Sequence, residues 1–188
     1  MIEVVAADDV PPQPWRNGGG VTRALLTWPS AQAWGVRVSV ADVDRDGPFS
    51  PFPGVERWFA VLEGDGVALA FEDNGERIDV RAGDAPIRFD GGRGVDCALI
   101  GGRTRDLNVM AALRRGRATC TPALPRTRRD RRVELRALFA RDALRLVHGD
   151  ETLSLPALSL AWTSDTAVAW ELPDDARAFW IEYRATRR

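Results

Sequence analysis

The sequence predicts an all-β chain, two small antiparallel β-barrels in tandem, and three observations carry that expectation. About a dozen short apolar runs recur at close spacing with almost no helical periodicity between them. A rhythm of strand, Gly-Asp turn and strand returns at Glu63-Gly64-Asp65-Gly66, at Gly83-Asp84 and at Gly149-Asp150. An arginine-rich stretch of thin apolar content, 114–132, reads as a linker or solvated connection. It divides an N-terminal barrel, residues 1–113, from a C-terminal barrel, residues 114–188, with strands expected to be shared between the halves.

The first distinctive stretch is Pro14-Trp15-Arg16-Asn17-Gly18-Gly19-Gly20. Three glycines leave backbone amides bare, which suits either a small polar ligand or a tight turn into the first strand. That strand runs over 21–27. From Trp34 to Val43, Trp34, Val36, Val38 and Val40 alternate with Gly35, Arg37, Ser39 and Ala41, the period of a strand with two unlike faces. The polar face looks either into a pocket or out to water.

Asp46 to Gly54 carries three prolines and reads as a stiff loop, whose Phe49 and Phe52 either wall a ligand or cap the core. A strand follows over 57–62. The runs 67–71 and 77–80 flank Asp73-Asn74-Gly75, a strong hairpin signal. Short strands are expected over 86–89 and 95–100, and another over 106–112, where Asn108 and Met110 share one face. In the second half the alternation of 133–139 favours a strand, with a helix on Leu135, Leu138 and Phe139 as the lesser reading. Further strands are expected over 144–147, 152–155, 158–162, 167–172 and 178–183.

Composition excludes several function classes. The 188 residues are 45% hydrophobic, enough for a sizeable core, and the formal net charge of −1 gives no global pull toward nucleic acid or an anionic membrane. All 26 basic residues are arginine, so Schiff-base and Walker lysines are absent. No apolar run approaches the roughly 20 residues of a spanning helix, and no export signal is evident, so a cytoplasmic protein with reduced Cys97 and Cys120 is expected. The single histidine, His148, reads as a turn residue and has no second imidazole with which to hold a metal. The two cysteines lack CxxC spacing, so no metal and no cofactor is expected. The arginine run has no interleaved aromatics and reads as solvated rather than as a nucleic-acid surface.

Four ordered motifs then carry a resemblance. They are Pro14 to Gly20 with Thr22, Asp46 to Gly54, Arg57 with Leu62-Glu63-Gly64, and Asp106-Leu107-Asn108-Val109-Met110. Together they resemble the HutD/Ves family over the first 110 residues, with Leu107 standing where the family usually has phenylalanine. The resemblance implies a bicupin of jelly-roll type, cytoplasmic and tied to histidine utilisation. It also implies binding of a pathway intermediate such as urocanate or a formylated glutamate derivative, to moderate pathway output. A site for such an acid wants a guanidinium, an amide and an apolar wall. Asn17, Ser50, Phe52, Arg57, Asn108 and Met110 supply those types from the matched motifs and are expected to line one site in the first barrel. The partners expected are thus a small-molecule carboxylate, without nucleic acid or membrane, and a homodimer is left open. The rival readings are a metal-independent enzyme of small acids with Glu63, Asp46 or Asp106 as its base, and a nucleic-acid-binding regulator working through the arginine run.

Overall fold

A computed structural model describes residues 1–173 and 177–186. The chain divides into two units, one contiguous over Pro11–Arg117 and the other joining Met1–Val10 to Ala118–Arg188. The division therefore falls at two places, and the first ten residues go with the second half. Among the described residues the only helical piece is a 3₁₀ turn at Ala7–Asp9.

The strands of the contiguous unit begin with β2 (Gln13–Pro14), β1 (Glu3–Ala6) belonging to the other unit. They continue as β3 (Gly20–Trp28), β4 (Val36–Val43), β5 (Gly47–Phe49), β6 (Val55–Glu63) and β7 (Val67–Phe71). Then come β8 (Arg77–Val80), β9 (Ile87–Asp90), β10 (Val95–Leu99) and β11 (Thr104–Ala112). They form a six-stranded sheet in the order β2-β3-β4-β11-β6-β9 and a four-stranded sheet in the order β5-β10-β7-β8. Phe59, Val61 and Phe89 from the larger sheet meet Phe49, Val67, Leu69, Phe71, Val80, Val95 and Cys97 from the smaller in one core. Two antiparallel sheets facing across such a core make a jelly-roll sandwich, its sheets open at the edges.

The other unit repeats the plan. Its strands are β1, β12 (Gly116–Pro122), β13 (Thr127–Arg129), β14 (Leu135–Ala140), β15 (Leu144–His148), β16 (Glu151–Leu155), β17 (Ser159–Thr163), β18 (Trp170–Leu172) and β19 (Ala178–Ala185). Five of them order as β1-β17-β14-β19-β12 and four as β13-β18-β15-β16. Between these sheets lie Leu138, Leu146, Leu155, Trp170, Leu172 and Trp180.

Three local expectations are corrected. The stretch 114–132 is not a solvated linker throughout, since it holds β12 and β13. In β12 Gly116, Ala118 and Cys120 are buried while Arg117 and Thr119 are exposed, so the inward face is built from residues too small to register as an apolar run. The proline-rich loop contributes β5, which pairs with β10 through Phe49 and Val95. His148 ends a strand rather than sitting in the turn, pairing with Glu151 across the hairpin.

Candidate functional site

Residues paired across antiparallel strands project to the same face, and alternate residues share it. The register of β11 sets Met110 beside Arg57, Asn108 beside Phe59 and Asp106 beside Val61. On its other side β11 meets β4, where Arg37, Ser39 and Ala41 stand beside Met110, Asn108 and Asp106. Phe59 and Val61 belong to the core between the sheets, so this face of β4, β11 and β6 is the inward one. It carries a polar row in an otherwise apolar interior.

Arg57 is the centre of that row. It is only 7% exposed, and its Nε donates to Asn108 Oδ1 at 2.7 Å. Its guanidinium carbon lies 4.4 Å from the ring centroid of Phe49, 5.5 Å from that of Phe89 and 5.8 Å from that of Phe59. Aromatic faces attract a cation but cannot take its hydrogen bonds. Among the described residues no carboxylate stands within ion-pair reach of Arg57, since Glu56 pairs with Arg88 at 3.4 Å and Glu63 lies 3.8 Å from Arg105. Burial pulls the Arg57 guanidinium down to about 10, opposed by the charge of Asp106 and then of Cys97.

Asp106 is fully buried on the same face. Thr104 Oγ1 donates to its Oδ2 at 3.1 Å, while Oδ1 is buried without a partner. Burial pushes this carboxyl up to about 7 against the lowering influence of Thr104 and Arg57. Burial likewise pushes the Cys97 thiol up to about 12, and both cysteines are free and buried.

Asp42 behaves oppositely. Burial would raise it, but hydrogen bonds from Arg105, at 2.7 Å, and from Arg23 hold it below the usual carboxylate range. Among the described residues no group of three or more His, Cys, Asp or Glu side chains converges on a common point.

The six residues read from the motifs divide in two. Arg57, Asn108 and Met110 come together on the inward face. Asn17 is exposed, its Oδ1 accepting from the Gly19 amide at 3.0 Å, and Gly18 N donates to Trp15 O at 3.1 Å. Those two glycine amides are thus engaged within their own turn. Ser50 is exposed, and Phe52 is half-buried with its amide on Gly91 O at 2.6 Å. Phe49 is the loop aromatic beside Arg57, with Trp15 edge-on to it at 6.3 Å. Phe59, Phe89 and Ser39 were missed because only the strand register brings them to the row. Their alternation with outward neighbours was the one signal available.

The family model described as HutD matches residues 7–180. The chain belongs to the HutD family. Its HutD/Ves relatives include an uncharacterized 21.2 kDa protein in the hutC 3′ region of Pseudomonas putida. The two are 37% identical over 120 residues, 63% of this chain and 62% of the relative. Protein Ves of Citrobacter koseri is 38% identical over 104 residues, 51% of this chain and 50% of Ves. The chain thus aligns with less than two thirds of the length of these curated relatives.

Among solved structures, HutD from Pseudomonas fluorescens SBW25, in a formate condition, superposes with a TM-score of 0.86. That match has 25% identity and covers 100% of each chain. A formate complex of Lactobacillus farciminis oxalate decarboxylase superposes with a TM-score of 0.65 at 9% identity, over 96% of this chain and 85% of that one. It shows the fold alone, a cupin. The all-β jelly-roll expectation holds, and this HutD-family chain has the bicupin fold.

Proposed function

We propose that this HutD-family protein binds a small carboxylate metabolite, urocanate or a formylglutamate-like acid, between the sheets of Pro11–Arg117, and so moderates histidine utilisation. The observation that carries the reading is Arg57, a buried guanidinium with aromatic walls, one amide partner and no carboxylate in reach among the described residues. A buried cation is costly unless an anion completes it. Nε is taken by Asn108, which turns the guanidinium and leaves its two terminal nitrogens for the fork geometry that a carboxylate matches. Phe49, Phe59 and Phe89 give a flat conjugated acid an apolar surround, and Arg57 supplies the positive charge without a metal.

Calorimetric titration with urocanate, formylglutamate and glutamate, followed by analysis of the recovered ligand, tests the reading. One acid is expected to bind and to return unchanged, and Arg57→Met is expected to weaken it by about 1.5 to 3 kcal/mol, the value of a charged hydrogen bond. Absence of heat with all three acids, or binding indifferent to Arg57, would overturn it.

A second reading rests on Asp106. A buried carboxyl raised to about 7 is matched to general-base work at neutral pH. On this reading the protein is a metal-independent enzyme of a small organic acid, and the recovered ligand is chemically altered.

A further inference from the structure

Arg57 and Asn108 account for the carboxylate end of a ligand but leave one buried group unused. Asp106 has a complete bond on Oδ2, from Thr104 Oγ1, and none on Oδ1, although the residue is 0% exposed. A buried acceptor left unpaired calls for a donor. Asp106 shares the inward face of β11 with Asn108. A two-residue step along an antiparallel strand is about 6.8 Å. Arg57, through its bond to Asn108, and Asp106 are therefore anchored about one such step apart along β11, and no ion pair joins them among the described residues.

The charged and titratable groups bearing on Asp106 are Arg57 of β6, Cys97 of β10 and Asp42 of β4. The Thr104 hydroxyl adds its hydrogen bond from the same strand. None of them is bonded to Oδ1.

We propose that Asp106 is the second anchor of the site, its Oδ1 accepting a hydrogen bond from an N–H at the far end of the ligand. This rests on the reading that Arg57 holds the ligand's carboxylate. It narrows the ligand class to short acids whose N–H lies about one strand step from the carboxylate, imidazole-bearing or N-acylated. A bare acid leaves Oδ1 unpaired. Asp106 is accordingly a specificity-determining residue, and Arg57 sets affinity for acids in general.

Two matched pairs of probes separate these roles. The first is urocanate against 3-(2-furyl)acrylate, which replaces the imidazole N–H with a furan oxygen. The second is 4-formamidobutyrate against its N-methyl derivative. The wild-type protein is expected to prefer the N–H member of at least one pair by about tenfold, the worth of one charge-assisted hydrogen bond. Asp106→Asn, which presents its NH₂ where Oδ1 stood if its oxygen keeps Thr104, is expected to erase the preference while both acids still bind. Arg57→Met is expected to weaken both members equally.

Should Asp106→Asn not fold, the wild type supplies the test. Its preference for 4-formamidobutyrate, a compound with no amide titration between pH 5 and 8, is expected to shrink from pH 8 to pH 5.5 as Asp106 takes up a proton. Equal binding of both members of each pair, or a preference unmoved by Asp106→Asn and by pH, overturns this proposal and leaves the Arg57 reading standing. No binding of any probe overturns both.

Discussion

A guanidinium enclosed by Phe49, Phe59 and Phe89 is a poor device for holding a sheet together. An isolated buried charge is costly, and replacing it by an apolar side chain of similar volume relieves that cost. Arg57→Met is therefore expected to melt at or above the wild-type temperature in the absence of ligand, as read by thermal denaturation, while ligand binding is weakened. A lower melting temperature would make Arg57 a structural residue.

Asp106 carries the opposite signature in its pH dependence. Its folded value, about 7, stands above the unfolded value of 3.8. Its contribution to stability is thus fully present below the unfolded value and is lost as pH rises through 7. Asp106→Asn is expected to flatten that fall, so that melts at pH 5 and pH 8 differ less than in the wild type. The two thiols, both buried and both raised by burial, are expected to resist a thiol reagent at pH 8 until the chain unfolds.

At the scale of the strand, β12 shows how an element hides. Arg117 points outward and Ala118 inward, so Arg117→Ala is expected to change stability by no more than about 0.5 kcal/mol. Ala118→Asp buries an unpaired carboxyl and is expected to cost several-fold more, measured by urea denaturation.

The same strand explains what was legible. In β4, Val36, Val38 and Val40 alternate with Arg37 and Ser39, so both the strand and its polar face stood out in the sequence. In β12 the inward positions are Gly, Ala and Cys, and the arginines between them masked the period. The Asn108–Arg57 pair was legible as chemistry, because an amide and a guanidinium each lay in a distinct motif. That Phe49 rather than Phe52 lies against Arg57 was not, since it depends on the pairing of β5 with the distant β10. The triple glycine likewise had two readings until the neighbouring strand was placed. A Cβ on Gly20 would stand 2.3 Å from Asp42 O, which requires a residue without a side chain there and has nothing to do with a ligand.

For the whole chain, the crossing of the N-terminal segment into the second unit is the feature with the widest reach. β1 pairs with β17 from Glu3↔Trp162 to Ala6↔Ser159, and Thr163 Oγ1 donates to Met1 O at 3.0 Å. Deleting residues 1–6 is expected to leave β17 as a bare sheet edge and to speed hydrogen exchange across Ser159–Thr163, with much less change in β4 and β11. Uniform loss of protection would instead mean that the two units unfold as one. During synthesis β1 leaves the ribosome about 150 residues ahead of its partner β17. At roughly 5–20 residues per second the delay is on the order of 10 to 30 seconds. Throughout it the nascent strand offers open hydrogen-bonding groups to any neighbour. The segment bearing Arg57, Asn108 and Asp106 is contiguous and has wholly emerged before that delay ends. An error of assembly is therefore expected at β1 rather than at Arg57, Asn108 or Asp106.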